Sequence, residues 1–145
     1  MPNPRRPLGM MLIGVSALLW YLACLAMMIR ELALPPAALA SLSLADQQIH
    51  AATPAWANVV SGFAIATGLL GAVGLLKVRA WSSDMFQLSM LGALVQMASI
   101  YAVTPVWDHY GVQGAMFPLL RIAVALLLWR YADDARVRGR VACAR

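Results

Sequence analysis

Apolar residues in this chain gather into four long runs separated by short polar breaks. Leu8 to Ile29 carries no charged side chain, nor does Trp56 to Leu76, nor Met85 to Val103. A fourth run, Gly114 to Tyr131, is interrupted by Arg121 and has Arg130 beside its end. About 20 apolar residues of helix cross the roughly 30 Å of bilayer hydrocarbon, so each run is long enough to span. The pattern predicts an all-α fold, a single integral membrane bundle of four transmembrane helices at about 8–29, 56–76, 85–103 and 114–131. Residues 132–145 follow as a basic cytoplasmic tail.

The longest connection, from Arg30 to Ala55, carries its own signals. Pro35-Pro36 breaks the first helix, and Ser43 is placed to cap a short helix running to about Ala52. Leu44, Gln48 and Ala51 against Asp46 and His50 give that piece a weak apolar face, suited to lying on the bundle. A plain ordered linker is the alternative.

Charge then orients the four spans. Composition is 62% apolar and 12% charged, against roughly 45–50% and about 25% in soluble domains. The formal charge of +5 sits at the ends of the runs, where membrane orientation accounts for it. Arg5, Arg6, Lys77, Arg79, Arg130, Arg136, Arg138, Arg140 and Arg145 fall on one side. Arg30 falls on the other, with Glu31, Asp46 and Asp108. Positive-inside bias therefore predicts both termini in the cytoplasm and, for a bacterial inner (cytoplasmic) membrane, a periplasmic 31–55 loop. No basic patch interleaved with aromatics points to nucleic acid. Trp56, Trp107 and Tyr110 mark the outer interface, and Trp81, Trp129 and Tyr131 the inner one. Thr53-Pro54-Ala55-Trp56 is echoed by Thr104-Pro105-Val106-Trp107, a repeated interface device in which the first copy precedes a helix and the second follows one.

The basic N-terminal segment before a long apolar run resembles a signal peptide, but an h-region is usually 7–15 residues, so a retained helix is expected. Cys24 lies in an apolar run and Cys143 in the basic tail, so no disulfide joins them and no redox motif exists.

Helices meet in lipid through small residues. Ala64, Gly68 and Ala72 recur every four residues in the second span, with Ser61 on the same side. In the third, Ser89, Gly92, Gln96, Ser99 and Val103 form one seam. Both faces are expected to pack helices, and Gln96 needs a partner across the bundle. Trp20 and Tyr21 lie midway along the first span, where they either fill the core or line a small pocket.

Arg121 stands out. A guanidinium at membrane depth costs about 2.5 kcal/mol or more unless paired or hydrated, which makes it a candidate site. The competing expectation is that it snorkels outward toward Asp108 or His109. No Asp or Glu occurs within a spanning run, which argues against proton- or sodium-coupled antiport. No Ser/His/Asp set, HExxH or phosphate-binding glycine loop is present, so no enzyme activity and no cofactor are expected. His50, His109, Asp46 and Asp108 match no metal-ligand spacing.

Four stretches carry a resemblance: Ala52-Thr53-Pro54-Ala55-Trp56, Gly71 to Trp81, Leu88 to Met97 and Leu126 to Trp129. With them the chain resembles small four-helix inner-membrane proteins of proteobacteria, over nearly its whole length, whose automatic label is "sugar transporter". The resemblance implies a four-helix membrane fold and brings no site residues with it. The family pattern is often apolar where this chain has Arg121. Three functions follow as expectations. The first is a non-enzymatic membrane protein, self-associating as a homo-oligomer through the small-residue faces. The second is a transporter or channel component for a small sugar-like or anionic solute, with Trp20, Gln96 and Arg121 as pocket residues. The third is an accessory subunit whose basic tail binds anionic lipid or a cytoplasmic protein.

Overall fold

The structure, a computed structural model, describes residues 8–138. Six helices follow one another: α1 (Leu8–Leu32), α2 (Pro36–Ala40), α3 (Leu44–Ala52), α4 (Ala55–Leu76), α5 (Ser82–Val103) and α6 (Val106–Val137). Of these, α1, α4, α5 and α6 are long and apolar enough to cross a membrane. They form the bundle of an integral membrane protein. α4 lies between α1 and α5, and α5 lies between α4 and α6. Each neighbour runs antiparallel to the last, as the facing pairs Gly14–Leu76 with Met28–Gly62, Gly71–Phe86 with Ala64–Gly92, and Ser83–Asp133 with Gln96–Arg121 require.

Small residues make the closest contacts between spans, with Met10, Ile65, Leu75 and Phe86 filling the remaining interior and many large apolar side chains facing outward. Ala57, Ala64, Ala72 and Ala132 are no more than 1% exposed, while Leu12, Leu19, Val59 and Leu127 are at least 60% exposed. In water that arrangement would strand the large apolar side chains. In lipid it is the stable one, because the solvent is as apolar as leucine and close backbone approach supplies the attraction. The expected packing residues take this role within one chain: Ser61, Ala64, Gly68, Ala72, Ser89, Gly92 and Ser99 are all buried. Val103, expected on the same seam, is exposed instead, because the seam turns away from α4 at the end of α5.

Two glycines set the closest approaches. A Cβ on Gly92 would stand 2.9 Å from the Ala64 Cβ, so α4 and α5 touch there almost backbone to backbone. A Cβ on Gly68 would fall inside the Tyr21 ring, so this glycine is the notch that admits an aromatic from α1.

The connections use few devices. Ser43 caps α3 by accepting from the Asp46 N–H at 3.1 Å, and its hydroxyl donates to Asp46 Oδ2 at 2.7 Å. The short helix expected to Ala52 is therefore present. The repeated Thr-Pro segments are the same corner built twice. Thr53 Oγ1 donates to the Ile49 carbonyl at 2.7 Å, and Thr104 Oγ1 to the Ile100 carbonyl at 2.6 Å. Each threonine closes one helix in an extended conformation, and the following proline opens the next with φ near −75°. Both copies thus end one helix and begin another, where the sequence had suggested one role for each.

Several span ends move from their expected places: α1 runs past Ile29 to Leu32, and the long part of α6 begins just after Gly111, ahead of Gly114. α5 begins at Ser82, ahead of the expected Met85, because Ser82 and Ser83 are buried against the bundle. α6 does not stop near Tyr131. It continues to Val137, because Ala125, Leu128, Ala132 and Ala135 keep one buried face at steps of three and four. Arg136 pairs with Asp84 at 3.1 Å and Arg138 with Asp134 at 2.8 Å. Residues 132–137 of the expected tail are therefore helix, and residues 139–145, with Cys143, lie outside the described residues. At its other end α6 is broken by Gly111, whose φ of 51° and ψ of −132° only glycine readily adopts. Val106–Tyr110 is a separate short turn before the long helix.

Candidate functional site

At the end bearing the residue 77–81 turn, α1 and α6 share a core through Met10, Ala17, Leu128, Ala132 and Ala135. Towards the α3 end they part, and the space between them is where the polar residues meet. Arg121 Nη1 donates to Gln96 Oε1 at 2.9 Å, across from α6 to α5. Both line a cavity of about 160 Å³, together with Glu31 at the end of α1, Ala93, Phe117 and Pro118. Gln96 and Arg121, grouped with Trp20 as pocket residues in the transporter expectation, are direct partners in one cavity.

The expected outward reach of Arg121 to Asp108 or His109 does not occur. His109 Nε2 instead meets Gln48 Oε1 at 2.9 Å, and Tyr110 donates to Asp46 Oδ1 at 2.7 Å. These bonds clamp α3 onto the start of α6. Gly111 turns that short segment away from the long helix, so its polar groups face α3 and leave Arg121 below. Among the described residues no carboxylate lies within 4 Å of the Arg121 guanidinium. It has five N–H donors, one of which is used on Gln96.

The cavity is not sealed. A wider recess of about 610 Å³ shares Glu31, Gln96 and Ile100 with it, and continues past Asn58 and Ser61 to Asp46 and His50 on α3. Arg30, Glu31, Asp46 and Asn58 give its walls polar groups that would hydrate an approach from the α3 end to Gln96, the partner of Arg121. At its rim, the bonds from Ser43 and then Tyr110 hold the Asp46 carboxyl below its ordinary value, with slight burial opposing them.

The other two candidates separate. Tyr21 points into the core and its hydroxyl lies 3.0 Å from Ser89 Oγ. Ser89 spends its single proton on the Ala64 carbonyl at 2.7 Å, so the tyrosine is the donor to Ser89. This chain ties α1, α4 and α5 together and leaves Tyr21 no freedom to meet a ligand. Trp20 points the other way. It lines an apolar groove between α1 and α6 with Leu12, Ile13, Ser16, Val124 and Leu128. It does not line the Arg121 cavity.

Glu31 entered the sequence reading only as a charge on the outer side and was missed as a cavity residue, since nothing in the sequence says which way the end of α1 faces. Among the described residues no three His, Cys, Asp or Glu side chains cluster as metal ligands. Comparison with known proteins finds no family model, no curated relative and no solved structure that matches the chain.

Proposed function

We propose that the chain is a non-enzymatic protein of a bacterial inner membrane that binds a small anionic solute at the Arg121–Gln96 pair. The observation that carries this reading is the guanidinium itself, bonded to one neutral amide in a cavity open to the α3 end, with the Glu31 carboxylate on the cavity wall but more than 4 Å from it. A cation at that depth is stabilised by an anion, and the cavity leaves room for one. Gln96 orients the guanidinium without neutralising it, as a carboxylate partner would. The small-residue faces are spent within the protomer, so the reading does not call on a second copy. With nine basic residues on one side of the spans, the α3 end would face the periplasm and both termini the cytoplasm.

Thermal unfolding of the purified protein in detergent tests it, with acetate, phosphate, sugars and metals as probes. An anion present at about a hundred times its dissociation constant should stabilise by roughly 2.7 kcal/mol. The effect should vanish in Arg121→Gln. Anion stabilisation that survives that substitution, or none at all, overturns the reading.

A further inference from the structure

We propose that the ligand of the Arg121 site is a single-chain fatty carboxylate, its head on Arg121 and its chain in the groove between α1 and α6. This rests on the anion-binding reading and names the class of anion. Arg121, Val124 and Leu128 stand at steps of three and four on α6, hence on one face of the helix. The first lines the polar cavity and the other two line the apolar groove. The cavity and the groove share no lining residue and are linked by α6, along whose face charge and grease follow one another in the order of an amphiphilic anion lying along the membrane normal.

Sizes agree with one chain. The cavity of about 160 Å³ admits a carboxylate with a few waters, whose liquid share is about 30 Å³ each. The groove holds about 340 Å³, against roughly 150 Å³ for an apolar cavity that takes benzene, so about a dozen carbons fit. On α1 the groove runs from Leu12 to Trp20, about 12 Å of helix. Its walls are almost wholly apolar, with Ser16 at the exposed edge. The chain of a free acid would enter sideways from lipid while its head reached the hydrated cavity. A bilayer acyl chain without an anionic head gains nothing there over the surrounding lipid.

Trp20 gives a direct readout. In nanodiscs of zwitterionic lipid, a variant with Trp56, Trp81, Trp107 and Trp129 replaced by Phe would keep Trp20 as its only indole. A fatty acid brominated along its chain should quench Trp20 at roughly tenfold lower mole fraction than its uncharged methyl ester. Arg121→Gln and the groove-filling Ser16→Phe should each erase that preference. The wild-type chain supplies a second measurement, in which laurate should stabilise at about tenfold lower concentration than acetate, except in Ser16→Phe. Equal quenching by acid and ester, untouched by either substitution, means ordinary lipid contact and overturns the inference. Acetate stabilisation through Arg121 without any chain preference sinks the fatty-acid assignment and leaves the anion site standing. Silence from both acids sinks both.

Discussion

Ser89 and Arg121 are both polar side chains inside apolar helices, and the difference between their surroundings separates a fastener from a site. Ser89 is buried, accepts from Tyr21 and donates to the Ala64 carbonyl, so its proton is used and three helices are joined. Arg121 is half-buried, uses one of five donors, and faces space that continues to the α3 end. Where the bundle is closed, the Tyr21–Ser89–Ala64 chain is saturated, while the buried hydroxyls of Ser82 and Tyr101 have no partner among the described residues. Where α1 and α6 part, capacity is left over. Unused hydrogen-bonding capacity at depth is what a ligand can answer.

The closed region offers the largest effect. Gly68→Ala drives a methyl into the buried Tyr21 ring, whose hydroxyl is held at Ser89. Overpacking at such a site costs about 3 kcal/mol. Reversible unfolding in mixed micelles should show that loss, and a double-mutant cycle with Tyr21→Ala should recover a large part of it. Additivity of the two changes would mean that the ring and the glycine do not meet.

Next comes the fastener. Ser89→Ala leaves the Tyr21 hydroxyl buried without its acceptor, at a cost of about 1–2 kcal/mol. Interhelical bonds measured in membranes average about 0.6 kcal/mol and reach about 1.7, so Tyr21→Phe, which removes the donor cleanly, should fall near the lower figure. The ordering Ser89→Ala above Tyr21→Phe is the outcome to check by the same unfolding measurement.

Arg121 should behave oppositely. Arg121→Leu removes a charge that costs about 2.5–3.5 kcal/mol at the centre of a spanning helix and rather less in a hydrated cavity. We expect the ligand-free protein to gain about 1 kcal/mol while losing every anion effect. A loss of 2 kcal/mol instead would make Arg121 a fastener like Ser89 and erase the contrast between the two regions.

How far the sequence could reach follows from the same contrast. The four spans were legible because charge-free runs of about 20 residues leave lipid as their natural surroundings. The packing faces were legible because alanine, glycine and serine recur at helical spacing in α4 and α5. Ends were read less well, since the charges of Asp133, Asp134 and Arg136 obscured the buried step from Leu128 to Ala135. The break at Gly111 has no periodic signature at all. Gln96 and Arg121 could each be suspected alone, but the spacing within one helix does not say which helix it faces. Trp20 and Tyr21 could have been parted in advance, because neighbours on a helix point about 100° apart and do not share one wall.

The smallest expected effect lies at the rim of the recess. Asp46 is held below its ordinary value by the bonds from Ser43 and Tyr110, so folding favours its ionised form. A carboxyl with a depressed folded value adds stability that is present above its unfolded value, near pH 4, and lost as pH falls through the folded value. The group is only partly buried at the rim, so solvent screens much of the effect and the global stability change should be slight. The local change is more informative. Protonated Asp46 is a weaker acceptor for Tyr110, so the hold of α3 on the start of α6 should loosen below about pH 4. Hydrogen exchange over 44–52 should then quicken with acid, while α4 and α5 stay protected. Asp46→Asn should show the fast exchange already at neutral pH and lose the acid dependence. A pH response of equal size in Asp46→Asn would mean that another group holds α3 in place, and that the entrance to the Arg121 cavity is governed elsewhere.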